Sequence, residues 1–393
     1  MSSVRGVRAE LERRVGACGA DLLSLSHRIH AHPETAWEEH QAAAWVGDVL
    51  DTAGFDVEAG YLGLDTCVRA RCGSGPLEVV LCAEYDALPG LGHACGHNII
   101  AASSVGAALA LASVADDLGV SVVLLGTPAE EGGGGKIELA DRGAFDGTHL
   151  VLMAHPGPVD VALARPYAVS HLDVRYRGLA AHAAAFPDDG VNAADAFTVA
   201  QVAIGLLRQQ LPAQARVHGL VTRGGEAPNA IPETTEGRWY VRGTTTAQMN
   251  AVRDRVLRCF EAGALATGCT LEVGEASQAY REMRTDTDVL AAYVRNAEAL
   301  GRTFHDGASG LGRMSLASTD LGNVSWLVPA IHPYIGIASA PAVNHQADFA
   351  AASVSAAADQ AVRDAALGLA WTVADAAADH QTRARLLERS APC

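Results

Sequence analysis

The chain has 393 residues, 49% hydrophobic and 19% charged, with a formal net charge of −16. That length exceeds most single hydrophobic cores and predicts two domains. The acidic balance, with no basic stripe, argues against nucleic acid or an anionic membrane as partner, and no apolar run approaches the ~20 residues of a membrane span.

Residues 5–55 read as helical, with Leu22, Leu23, Leu25 and Ile29, then Ala42, Ala43, Val46 and Leu50, at helical spacing. His30-Ala31-His32-Pro33-Glu34 interrupts them. The start, Met1-Ser2-Ser3-Val4-Arg5, carries no signal-peptide apolar block, which predicts a cytoplasmic protein. From about 56 to 155 strand-like and helical segments alternate, the pattern of a layered α/β domain with a mainly parallel sheet. Its buried strands are the Val- and Leu-rich runs at 77–83, 120–125 and 150–154. A helix is expected over Asn98–Leu118. After Pro156 the pattern changes. Val169–Arg177 alternates as a strand, a helix follows at about 191–209, and strands at about 215–223 and 235–242. A helix at about 246–264 and a strand at about 269–274 complete a β-α-β-β-α-β order, which fits a ferredoxin-like α+β sandwich. The expected division is a catalytic domain from 1–167 and 281–393, with an inserted domain at 168–280. The Ala-rich stretch at about 347–388 has helical composition.

Residues suited to metal binding follow the apolar runs. His93-Ala94-Cys95-Gly96-His97 follows the first, Glu130-Glu131 the second, and His155 the third. In open α/β sheets, ligands bind beyond the carboxyl ends of strands, so a thiol, imidazoles and carboxylates are expected at one edge. His345 is a plausible distant ligand. Such a mixed set suits zinc or manganese without selecting between them. Cys95 at a helix start is expected to have a lowered thiol pKa. The other cysteines, Cys18, Cys67, Cys72, Cys82, Cys259, Cys269 and Cys393, form no Cys-x-x-Cys pair and read as free thiols. Each of these histidines and Cys95 taken alone is more often a buried or surface residue than a ligand; their common placement favours a site.

Adjacent carboxylates on an extended backbone point in opposite directions, so one can bind metal while the other faces the substrate water as a general base; Glu131 is the carboxylate ligand type. A solvated acidic turn is the alternative. Gly132-Gly133-Gly134-Gly135 allows close backbone approach to a ligand, or only a flexible loop. Asp86 could orient a liganding histidine or simply form the turn before Pro89. His182 could stabilise an oxyanion, and Arg242 could hold a substrate carboxylate; on spacing alone these two and Asn229 read as surface residues. Lys136 is the only lysine.

Together the motifs resemble the aminoacylase/carboxypeptidase family of metal-dependent amidohydrolases, metallopeptidase family M20, in its thiol-containing branch. The matching stretches are His27–Glu34, Tyr85–Asn98, Pro128–Lys136, Arg216–Asn229, Ser318–Ser325 and Asn344-His345. Asn98 and Val324-Ser325-Trp326 resemble the dipeptidases of that family and the p-aminobenzoyl-glutamate hydrolase subunits. The resemblance implies two divalent metal ions, Zn²⁺ or Mn²⁺, with Cys95 as bridging ligand and His97, Glu131, His155 and His345 completing the set. It implies Glu130 as base and then proton donor, and an inserted lid domain that also forms a homodimer. His182 would reach the neighbouring subunit's site, while Asn229 and Arg242 would hold the substrate's carboxylate end. One departure stands out: Glu84 occupies the place where dizinc relatives carry a liganding histidine.

The expected activity is hydrolysis of the amide bond of an N-acyl amino acid or dipeptide-like substrate with a free carboxylate, through a metal-bridged water. A hydrolase using Cys95 as nucleophile, or a non-catalytic binding protein on the same fold, are the rival readings.

Overall fold

The computed structural model describes residues 4–388. Met1, Ser2 and Ser3, and Cys393 with the four residues before it, lie outside the described residues. The strands are β1 (Asp56–Ala59), β2 (Val68–Cys72), β3 (Leu77–Glu84), β4 (Val120–Thr127), β5 (Leu150–Leu152), β6 (His155–Gly157), β7 (Ala168–Arg177), β8 (Arg216–Arg223), β9 (Thr234–Gly243), β10 (Thr270–Tyr280), β11 (Ala330–Ile331) and β12 (Tyr334–Gly336). The helices are α1 (Val4–Ala31), α2 (His40–Thr52), α3 (His97–Ala112), α4 (Ala115–Leu118), α5 (Gly135–Asp141), α6 (Ala193–Leu207), α7 (Thr246–Thr267), α8 (Thr287–Ala299), α9 (Leu321–Val324), α10 (Ala347–Ala352), α11 (Ala356–Ala378) and α12 (His380–Glu388). None of them is long and apolar enough to cross a membrane.

The chain divides into two compact units, one running to Arg165 and resuming at Met283, the other Pro166–Glu282. In the first, a six-stranded sheet has the order β1-β2-β4-β3-β5-β11. Its centre is parallel, through the β3–β4, β3–β5 and β5–β11 pairs, while β1 and β2 join as an antiparallel edge. The period of two along the central strands explains why both faces are covered. Leu77, Val79, Leu81 and Ala83 of β3 pack into one core with α1, α3 and α11, whereas Val80 and Cys82 enter a second core with Leu139, Phe145, Leu321 and Val324. Helix α3 is apolar and small on all sides and is buried along nearly its whole length, between the sheet and α1 and α11.

The helix expected over Asn98–Leu118 starts one residue earlier and is broken. Ser113 Oγ donates to the Ala110 carbonyl at 2.8 Å, and Val114 leaves helical geometry at φ −130°, so α4 begins as a separate turn.

The second unit is a four-stranded antiparallel sheet, β10-β7-β9-β8, with α6 and α7 packed on one face around Phe197, Trp239 and Phe260. Its element order is β-α-β-β-α-β, the ferredoxin-like arrangement the alternation predicts. Cap geometry fixes both helix starts: Asn192 accepts from Ala194 N–H, and Thr245 from Gln248 N–H.

Leu81 sits fully buried at the centre of the first sheet. Leu81→Ala is expected to lower unfolding free energy by about 2–5 kcal/mol, seen as a reduced urea midpoint with unchanged slope.

Candidate metal centre

Strands β3 and β4 run parallel in register, Glu84 opposite Thr127, so the chain leaves both at the same edge. The turn after β3 carries Asp86 and leads to α3. The turn after β4 carries Glu130 and Glu131. His155 opens β6, just past β5. Cys95 and His97 reach the edge through Gly96, which caps α3 in left-handed geometry at φ +76°. A Cβ there would lie 2.7 Å from Pro156 Cγ, so only glycine fits between the helix start and the β6 segment.

Two ligand sets share the thiol. Cys95, His97 and His155 form one, and Cys95, Glu131 and His345 the other; within each, the ligand atoms lie within 4.8 Å of one another. His345 comes from the distant 344–346 turn, held by its N–H bonding Ala94 O at 2.9 Å, with a strained φ of +68°. All five residues expected as ligands are therefore gathered at one edge.

Two of the three imidazoles are oriented through Nδ1. His97 Nδ1–H donates to Asp86 Oδ1 at 2.9 Å, and His155 Nδ1–H donates to the Pro156 carbonyl at 2.8 Å. Both bonds engage Nδ1 and leave Nε2 as the ring's other nitrogen. His97 Nε2 is buried without a hydrogen-bond partner, an orphan of the kind a ligand would satisfy.

The electrostatics are dominated by burial and crowded carboxylates. Burial, with Glu131 and Glu130 nearby, pushes the Cys95 thiol well above its ordinary pKa. The expected lowering by the helix start is thus overturned: three neighbouring carboxylates and desolvation outweigh one turn of helix dipole. Burial, then the adjacent His332 and His97, drives His155 well below its ordinary value, so its ring is neutral. For His97 burial is opposed and outweighed by Asp86 and Glu84, and its pKa rises. Glu130 is raised well above the carboxylate range by burial, Glu84 and Glu131. Burial opposes ionisation of Glu131 too, but His345 and His97 bring its pKa below the usual value. The adjacent carboxylates thus face different partners, Glu84 and His97 on one side, Cys95 and His345 on the other.

Buried carboxylates pin the loop that carries them. Glu39 accepts from Ala129 N–H at 2.8 Å, Asp86 from Glu131 N–H at 2.9 Å, and Asp320 from Lys136 N–H at 2.9 Å. Gly135 packs so tightly that a Cβ would fall 1.9 Å from the Pro128 carbonyl oxygen. The glycine run is thus a fitted turn, not a loose loop. Sequence reasoning missed Glu39, the Lys136–Asp320 pair and His332, whose ring lies 5.5 Å from that of His155. An acidic residue just before an expected helix is the one faint signal for Glu39.

The remaining expected residues lie in the second unit. His182 and Asn229 are neighbours: His182 bridges to Ala230, and Ala183 N–H donates to Asn229 O at 3.0 Å. Both are exposed. Arg242 is not part of this pair. It pairs with Val169 at the opposite end of β7 from Arg177, eight residues or roughly 26 Å along the sheet, with Nε on His218 Nε2 at 3.2 Å.

Comparison with known proteins gives the family. The model for Peptidase family M20/M25/M40 matches residues 80–368. The Xaa-Arg dipeptidase of Mus musculus is 40% identical over 377 residues, spanning 92% of this chain and 87% of that protein. One of the p-aminobenzoyl-glutamate hydrolase subunits of Escherichia coli (strain K12) is 31% identical over 284 residues, 66% of this chain and 59% of that protein. A solved Bacillus subtilis protein, described as a dinuclear metal binding peptidase from the M20 family, shares the fold with a TM-score of 0.68 at 20% identity, covering 92% of this chain and 98% of its own. The chain belongs to peptidase family M20/M25/M40 and is a hydrolase of amide bonds.

Proposed function

We propose that this chain is a two-metal amidohydrolase that cleaves dipeptides or N-acyl amino acids bearing a free carboxylate. The observation that carries the reading is the pair of three-residue ligand sets meeting at the Cys95 thiol. The donors fit divalent ions: one sulfur able to bridge, three imidazoles, one carboxylate, and an orphaned His97 Nε2. Cys95 would bridge, with His97 and His155 on one ion and Glu131 and His345 on the other; zinc and manganese both suit the set. Bound there, the ions would supply the Lewis acidity that activates water and polarises the substrate carbonyl.

The protein's own residues do the rest. Asp86 holds His97 in the tautomer that presents Nε2. Glu130, buried and with a raised pKa, takes the proton of the attacking water and returns it to the leaving amine nitrogen. His182 and Asn229, side by side in the second unit, are suited to donate to a developing oxyanion, with His182 serving the site of a second protomer in a homodimer. Arg242 is left to the substrate's carboxylate end. The raised thiol pKa of Cys95 weighs against its acting as a nucleophile.

The relatives suggest which substrate to try first. One is a dipeptidase for Xaa-Arg, so dipeptides ending in arginine lead the panel, beside p-aminobenzoyl-glutamate and simple N-acyl amino acids. Amine release from one of these, abolished by chelator and restored by Mn²⁺ or Zn²⁺, is the expected result. Glu130→Gln should keep its metal and lose ~10²–10⁴-fold in turnover. Retained activity in that variant, or chelator indifference with sensitivity to thiol alkylation, would contradict the reading.

Metal loading should also depend on pH. Cys95 carries its proton in the metal-free protein, and the raised pKa of His97 holds one there as well. Both protons must leave for sulfur and Nε2 to coordinate, so affinity should rise with pH across the neutral range, with protons released on binding. Calorimetry in buffers of differing ionisation enthalpy reads that release; a pH-independent affinity would contradict it.

A further inference from the structure

A third group at the same edge has metal-ligand spacing. Glu84, His97 and Glu130 are all buried, with their ligand atoms within 4.8 Å of one another. By distance alone it is as good a metal set as the two that contain Cys95. It also competes with them, because His97 has one nitrogen left over from Asp86 and cannot serve two ions.

Lys136 distinguishes it. The side chain is fully buried, and Nζ lies 2.5 Å from Glu84 Oε1 and 2.7 Å from Asp320 Oδ1. Asp320 Oδ2 also accepts the Lys136 N–H at 2.9 Å, so the ammonium is anchored at both ends of its own residue. The other face of Glu84 looks at the site: Oε2 is 3.5 Å from His97 Nε2. Burial favours the neutral amine, but Asp320, Glu84 and Glu130 more than reverse this and keep the group charged.

We propose that Lys136 is a resident cation that occupies the Glu84 carboxylate and thereby keeps divalent metal out of the Glu84–His97–Glu130 group. The inference rests on the two-metal reading. An ion bound to Glu84 Oε2, the oxygen that faces His97, would sit at ~2.1 Å from it, and so within about 7 Å of Nζ across the same carboxylate, where the two cations repel in a poorly screened interior. With the ammonium in place, His97 Nε2 is left to the set that shares Cys95, and Glu130 is left without a metal so that it can carry a proton. Take the ammonium away and two buried carboxylates, Glu84 and Asp320, lose their counter-charge. A hard oxygen-rich pocket of that kind draws in Mn²⁺ or Mg²⁺.

The test is metal content of the full-length protein, loaded with Mn²⁺, freed of excess by gel filtration and measured by mass spectrometry. Co²⁺ loading is run in parallel to follow the cobalt–thiolate absorption of Cys95. The wild type is expected to hold two ions. Glu84→Gln, which removes no ligand in this account, should also hold two, with the thiolate band intact. Lys136→Met should either gain a third ion or lose thiolate absorption as an ion moves towards Glu84, and Lys136→Arg, which keeps the positive charge, should behave as wild type. If Lys136→Met does not fold, Glu84→Gln still decides. Loss of an ion from Glu84→Gln, with two in the wild type, would make Glu84 a ligand and overturn the inference. So would a folded Lys136→Met protein with two ions and an unchanged band. A wild type that binds no metal would instead remove the functional reading on which the inference stands.

Discussion

Asp86 is the residue through which the parts of this site are tied together. Its carboxylate lies just past the end of β3, fully buried, and accepts two hydrogen bonds at 2.9 Å, one from His97 Nδ1–H and one from Glu131 N–H. The first sets the tautomer and direction of a ring on the opening turn of α3. The second sets the backbone of the turn after β4. A single carboxylate thus joins the strand it follows, the helix that follows it and the loop carrying both glutamates. Burial opposes its ionisation, but His97 and the Glu131 N–H reverse the balance and hold its pKa below the ordinary value. The bonds it makes are therefore charge-assisted, and stronger than neutral ones.

The wider constraint is the accumulation of buried negative charge. Glu39, Glu84, Asp86, Glu130 and Asp320 are all buried around one sheet edge. Burying carboxylates is costly unless each is matched. The protein matches some with backbone N–H groups, one with His97 and one pair with its only lysine. The excess falls on Glu130, whose pKa rises, and on Cys95, which stays protonated. Both are conditions that incoming cations would relieve. The same surplus of negative charge makes this edge a place for divalent ions, and leaves a carboxylate able to hold a proton.

Much of this was legible in the sequence because it is local. The runs at 77–83, 120–125 and 150–154 are apolar on both strand faces, and the structure buries them between two helix layers. Cys95, His97, Glu130, Glu131 and His155 each stand close in sequence to a strand end, so the topology alone brings them together. The ferredoxin-like order of the second unit was visible in the alternation of its strands. What escaped was long-range pairing. Glu39 reads as an ordinary residue before a helix, yet its carboxylate reaches Ala129 N–H, ninety residues on. Lys136 stands at the end of a glycine run, but its partners Glu84 and Asp320 lie on separate segments that only the folded sheet brings close. The expected lowering of the Cys95 pKa is reversed for the same reason: helix position is local, whereas the carboxylates that raise it come from elsewhere. Arg242 and Asn229 were both expected at the substrate's carboxylate end, and the strand register puts Arg242 at the other end of the sheet.

The most direct test of the central claim is anomalous diffraction from crystals of the protein loaded with zinc or manganese, recorded on both sides of the metal absorption edge. Two peaks are expected flanking the Cys95 sulfur, one within bonding reach of His97 and His155 and the other of Glu131 and His345. Peaks confined elsewhere, or a fully loaded crystal with no ion on Cys95, would contradict the two-metal reading.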